Sequence, residues 1–211
     1  MREQTLKNRM AIAFFNPKGG VGKTTTSTQT AVAVVMNKLN VAFYDLDKQK
    51  TATFYFSTID EKYRPQFISN DLSIAPPSNT DVVILDCPPN MEFVPPPNFL
   101  IVAPTSSTML DLHAFKRVLE LEQKGYKVIK VINNFNQIRN DDKALLQQFK
   151  NCCVITSNSG IRHAMNNSKT IWNSNHPGGK KAKKQFNYLL SCITKGEAPE
   201  IDIETINKTM F

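Results

Sequence analysis

One stretch governs what this chain can fold into: Phe14 to Thr25, which reads FFNPKGGVGKTT. An apolar run from Ala11 to Phe15 stops at Asn16-Pro17, a glycine-rich loop follows, and an apolar-periodic segment runs on from Thr24 to Leu39. The order is strand, loop, helix. Gly19, Gly20 and Gly22 carry no Cβ, so the backbone N–H groups around Val21 can close on an anion. The helix that follows points its positive end, at Thr24 and Thr25, to the same place. Lys23 supplies a point charge suited to β and γ phosphates, and the Thr24 hydroxyl is placed to bind Mg2+.

The general phosphate-loop pattern G-x-x-x-x-G-K-[ST] is not met in full, because its first glycine falls on Pro17. A second lysine, Lys18, stands at the mouth of the loop instead. This Lys-Gly-Gly-Val-Gly-Lys-Thr form resembles the deviant Walker A loop of the ParA/MinD family of ATPases.

Val41 to Asp45 reads as the second strand and runs into Asp45-Leu46-Asp47-Lys48-Gln49. Two carboxylates one residue apart, at the C-terminal end of a strand, lie where open α/β sheets bind ligands. One can approach a metal's water shell while the other orients an attacking water. The segment is similar to the family's D-x-D-P-Q element, with Lys48 in place of the proline. Asp81-Val-Val-Ile-Leu-Asp86 is a buried strand with an acid at its end, the arrangement that delivers a carboxylate to Mg2+ beside the phosphates. Cys87-Pro88-Pro89 follow, and this D-x-P-P ending also resembles ParA-type proteins, in which the loop senses the γ-phosphate. Two prolines restrict such a loop to few conformations.

Further strands are expected at Phe99–Ala103, Lys127–Ile132 and Cys152–Thr156, and a short one at Leu72–Ala75. Helices are expected at Thr51–Phe56, from a Thr108 capping box to Lys124 with Gly125 as its stop, from Asp141 to about Lys150, and at Ser159–Asn166. The Lys127–Ile132 strand ends in Asn133. The resemblance implies an adenine contact there, and an amide can pair with the edge of a base; asparagine also ends strands for turn reasons alone. A last helix begins near Gly179. Ala182, Phe186, Leu189, Leu190 and Ile193 recur at helical spacing and form its core stripe. Lys180, Lys181 and Lys184 are expected on the opposite face, with Lys183 on the flank. Four lysines in the first turns oppose the helix dipole, so the charge has a use: contact with DNA phosphates. The bland alternative is a solvated face.

The chain has 211 residues and a net charge of +8, enough length for one α/β domain and a charge that favours a polyanionic partner. Residues 1–9 read as a basic arm and 196–211 as a polar tail. Cys87, Cys152, Cys153 and Cys192 form no C-x-x-C pair, and the three histidines show no ligand spacing, so reduced thiols are expected and no zinc or iron site. No run approaches the roughly eighteen apolar residues that cross a bilayer. The N-terminus lacks a signal's apolar region, so a cytoplasmic protein is the expectation.

These elements imply a three-layer P-loop NTPase fold, a mainly parallel sheet with helices on both faces, in one domain. The resemblance implies an ATP- and Mg2+-dependent ATPase of the ParA type, nucleoid-associated, that binds nonspecific DNA and drives plasmid or chromosome partition. It implies a homodimer closed on ATP, with Lys18 reaching the partner's phosphates, and a ParB-like activator. Lys18, Lys23 and Asp47 would be the catalytic set; Thr24, Asp45 and Asp86 would hold the metal. Two other readings share the loop. A MinD-like membrane-cycling regulator should carry a basic amphipathic tail, which the chain lacks. A ligase of the dethiobiotin-synthetase type would take a small carboxylate and ignore DNA.

Overall fold

The structure is a computed structural model that describes residues 9–149 and 151–201. Seven strands form one sheet in the order β3-β2-β4-β1-β5-β6-β7. They are β1 (Met10–Phe14), β2 (Val41–Asp45), β3 (Phe67–Ser69), β4 (Val82–Asp86), β5 (Leu100–Thr105), β6 (Val128–Phe135) and β7 (Cys153–Thr156). Every pairing between them is parallel. The helices are α1 (Lys23–Met36), α2 (Thr51–Thr58), α3 (Met109–Gln123), α4 (Asn140–Gln148), α5 (Ser159–Asn166) and α6 (Gly179–Lys195). The expected P-loop NTPase fold is the one observed.

Strand side chains alternate between two cores, as the period of two demands. Ile12, Phe14, Phe43, Ile84, Val102 and Val131 face α1 and α6. Ala13, Phe15, Ala42, Leu85, Ile101 and Ile132 face α3 and α4. Both faces are covered, which is why the strands read as continuous apolar runs.

The helix after the loop is buried on nearly every side from Thr26 to Val34, with its polar residues included. Two of their hydroxyls bond back one turn, Thr26 Oγ1 donating to Gly22 O at 2.7 Å and Thr28 Oγ1 to Thr24 O at 2.7 Å, whereas the buried Thr30 Oγ1 has no partner. Lys38, at φ 61°, turns the chain left-handed and ends the helix. In α3 the Thr108 hydroxyl accepts from Asp111 N as a cap, and Gly125 follows at φ 92°.

One expectation is corrected. No strand forms at Leu72–Ala75. Asp71 takes the backbone there into a turn, accepting from Ser73 N at 2.8 Å, and Leu72 and Ile74 stay exposed. The strand of this region is β3, which pairs with β2 from Ala42↔Phe67 to Tyr44↔Ser69. Past α6, Glu200 bridges Asn151 antiparallel, and Ile201 packs into the α3/α4 core. The rest of the tail and most of the basic arm lie outside the described residues; Arg9 donates to the carbonyls of Pro77 and Ser78.

Candidate nucleotide and metal site

β1 is the central strand, and its C-terminal end opens into the glycine loop. Asn16, fully buried, anchors that loop. Its Nδ2 donates to Pro104 O at 2.8 Å, and its Oδ1 accepts from Lys18 N at 2.9 Å. The sequence showed Asn16 only as a strand end; this tie to β5 is long-range and left no local signal. Gly20 (φ 79°) and Gly22 (φ 97°) take the left-handed conformations the loop needs. Lys23 lies inside the loop, and its Nζ donates to Lys18 O at 2.8 Å. Burial pulls the Lys23 ammonium below its ordinary pKa, against the opposing pull of Asp86 and Asp47. Lys18 is half-buried at the rim.

Asp45 and Asp86 end adjacent strands and face each other in register. Both are fully buried. Oδ2 of Asp45 accepts from Thr53 N and Thr53 Oγ1, each at 2.8 Å, while its Oδ1 has no partner. Neither oxygen of Asp86 has one. The Thr24 and Ser27 hydroxyls stand near Asp86, but Ser27 Oγ donates instead to Thr24 O at 3.1 Å. Burial pushes the Asp86 carboxyl up to about 7; the Asp45 charge adds to the rise, and Thr24, Lys23 and Ser27 oppose it.

Two buried carboxylates with three orphaned oxygens between them are costly unless a cation joins them. Hard oxygen donors suit Mg2+. Among the described residues no cluster of three or more His, Cys, Asp or Glu side chains could hold a metal. A cation at Asp45 and Asp86 therefore needs further oxygens, from the Thr24 hydroxyl, a phosphate and water, which is the ordinary manner of holding Mg2+ beside a nucleotide. The residues fit the ion.

Asp47 lies half-buried above them. Its Oδ1 accepts from Gln49 N at 3.0 Å, and its charge acts on Lys23. Lys50, which sequence reasoning missed, sits at φ 54° and donates from Nζ to Asp45 O at 2.9 Å.

Asn133 reaches the loop as well. Its Nδ2 donates to Val21 O at 2.9 Å, so the amide braces the loop backbone. It also lines a cavity of about 420 Å³ with Gly20, Gly22, Thr25, Thr156 and Arg162. Arg162 and Thr156 had no signal of their own in the sequence. Gln185 of α6 bonds Thr156, with Nε2 donating to Oγ1 at 2.9 Å, which fixes the start of α6 to the end of β7.

The lysines of α6 divide. Lys180 and Lys184 are exposed, whereas Lys181 and Lys183 are half-buried. Lys181 was expected to project from the outer face. It lines a groove with Phe135, Ile138, Thr156 and Ser157, and burial lowers its pKa. The loop after β6 closes against it. The first turns of α6 lie beside Thr156 at the C-terminal end of β7, so Lys180, Lys181, Lys183 and Lys184 stand on the same edge of the sheet as the glycine loop.

Residues 12–164 match the family model of the CobQ/CobB/MinD/ParA nucleotide binding domain, also called CbiA. The chain belongs to this family. The deviant loop, the Asp45–Asp47 segment and Asp86 all lie inside the matched span. No curated protein matches the sequence significantly. Solved structures similar in fold to this CobQ/CobB/MinD/ParA domain include an ATP complex of a variant of McdA from Cyanothece, with a TM-score of 0.66 at 14% identity over 90% of this chain and 96% of that one. A proposed plasmid partition protein of Borrelia burgdorferi bound to AMPPNP has a TM-score of 0.62 at 14% identity, over 87% of this chain and 99% of that one. The MinD cell division protein of Aquifex aeolicus has a TM-score of 0.61 at 13% identity, over 86% and 97%. Among the described residues, no helix is long and apolar enough to cross a membrane.

Proposed function

We propose that this chain is a Mg2+- and ATP-dependent ATPase of the ParA type that dimerises on ATP, binds nonspecific DNA and partitions plasmid or chromosomal cargo. The observation that carries the reading is the buried Asp45/Asp86 pair, with its orphaned oxygens, beside the Lys23 loop. The likeness to the nucleotide-bound McdA and Borrelia structures supports ATP as the ligand.

The glycine loop and Lys23 bind the β and γ phosphates, with Lys23 exchanging its bond to Lys18 O for phosphate oxygens. Thr24, Asp45 and Asp86 hold Mg2+, which when bound neutralises charge developing on the β–γ bridge. Asp47 orients the attacking water. Lys18 of each subunit reaches the partner's phosphates and stabilises the same charge from outside, as an arginine finger does. Asn133 faces the base. A closed dimer joins two sets of Lys180, Lys181, Lys183 and Lys184, so DNA affinity rises by multivalency. A ParB-like protein stimulates hydrolysis, which opens the dimer and releases DNA.

The likeness to MinD favours a second reading, a membrane-cycling regulator built on the same dimer. One experiment separates them: retention on DNA and on anionic lipid vesicles, measured with ATP, ADP and no nucleotide at two salt concentrations. The ParA reading expects DNA retention with ATP only, weakened by salt. Equal retention without nucleotide contradicts it, and ATP-dependent vesicle binding without DNA binding establishes the second reading. In the same assay Asp47→Ala should stay on DNA with ATP and turn over slowly.

A further inference from the structure

We infer that Thr53 is a positioning residue for the metal side of the site, locking one oxygen of Asp45 so that the other alone is presented to a divalent cation. The inference rests on the proposed Mg2+-nucleotide reading.

The geometry is specific. Helix α2 begins at Thr51 and has no side-chain cap of its own; its N-cap residue is Lys50, in the left-handed conformation. The cap comes instead from the preceding strand. Asp45, eight residues back, accepts the amide of Thr53 in the first turn of α2. The Thr53 hydroxyl donates to the same Oδ2, at the same 2.8 Å. Two donors on one oxygen fix the carboxylate plane, whereas a single donor leaves it free to swing. The consequence is visible in the other oxygen. Oδ1 is buried and unpaired, and Asp45 stands in register with Asp86, whose two oxygens are also unpaired. Both donors to the Asp45 carboxylate are thus spent on Oδ2, and Oδ1 with the two oxygens of Asp86 is left for a cation. Groups that orient a metal's carboxylate ligand from behind ordinarily govern its affinity.

The hydroxyl could serve only the helix. The backbone N–H alone already caps α2, however, and valine preserves that N–H and the shape of the side chain. The Thr53→Val variant therefore removes only the orienting bond, and Thr53→Ser restores it. The readout is the binding of a fluorescent ATP analogue titrated with Mg2+, alongside its affinity in EDTA and the thermal midpoint of the metal-free protein. Thr53→Val should weaken Mg2+ about ten-fold while nucleotide affinity in EDTA stays within about two-fold of wild type. Thr53→Ser should bind Mg2+ like wild type. Thr53→Ala, which opens space rather than straining it, should match Thr53→Val and stands in for it should valine lower the midpoint. Unchanged Mg2+ affinity in both Thr53→Val and Thr53→Ala overturns the inference. So does Thr53→Ser as weak as Thr53→Val, or an equal loss of affinity in EDTA. If the wild-type protein binds the analogue without any response to Mg2+, the metal reading itself fails and the inference falls with it. That outcome is distinct, because it appears before any substitution is made.

Discussion

The amide nitrogen of Asn133 lies 2.1 Å from the point a Cβ on Gly22 would occupy. The last residues of β6 and the last glycine of the loop are fitted so closely that no side chain can come between them. Gly22 also stands at φ 97°, a conformation L-residues rarely adopt. Gly22→Ala therefore meets two obstacles. The backbone strain alone is about 1–3 kcal/mol, and the clash forces Asn133 off Val21 O. Denaturant unfolding should show the sum. Adding Asn133→Ala to Gly22→Ala should recover the clash and leave the strain, so the two substitutions will not be additive.

Asp86 gives a pH-dependent prediction. Its carboxyl has a pKa near 7 in the fold against an ordinary 3.8, so the folded chain holds this proton more tightly than the unfolded one. Its contribution therefore favours the fold most at low pH, weakens it progressively as pH rises from about 4 to about 7, and reaches its full penalty above that. In the absence of metal, Asp86→Asn should be more stable than wild type by about 2–4 kcal/mol at pH 8, with the difference shrinking toward pH 4.5. Mg2+ with nucleotide should raise the wild-type midpoint by more than that of Asp86→Asn, which keeps the loop but loses a metal ligand. Urea titrations at the two pH values, with and without Mg2+ and ADP, read both effects.

The loop, the Asp45–Asp47 segment and Asp86 were legible because each is a local signal: glycines, a lysine and acids at fixed spacing beside apolar runs. The sheet was legible for the same reason, since strands buried on both faces read as continuous apolar segments. What was not legible depends on partners distant in sequence. Phe67-Ile68-Ser69 is a strand because β2 offers it an edge, not because three residues announce one. Asn16 is an anchor because Pro104 O lies opposite it. Thr53 matters because a helix start is capped from the strand before it. Helical spacing placed Lys181 away from the stripe of Ala182, Phe186 and Leu189, but spacing knows nothing of the β6–α4 loop that covers it.

The lysines of α6 should not be equivalent. Lys180 and Lys184 are exposed, and Lys181 and Lys183 are half-buried. If the patch binds DNA phosphates, each lost contact lowers the slope of log affinity against log salt by about 0.9. Replacing all four with glutamine should abolish retention at low salt and spare ATP binding. Lys180→Gln with Lys184→Gln should account for most of that loss. Equal effects from the Lys181/Lys183 pair would move the contact surface into the groove beside Ile138.

The central claim is that the loop and the two buried carboxylates together bind a Mg2+-nucleotide, and ATP titration by calorimetry tests it most directly. The wild-type protein should bind ATP more tightly with Mg2+ than in EDTA. Lys23→Ala, which removes the charged donor inside the loop, should lose about a hundred-fold in affinity. A Lys23→Ala protein that titrates like wild type, or a wild-type protein that takes up no ATP with Mg2+ present, would contradict the account.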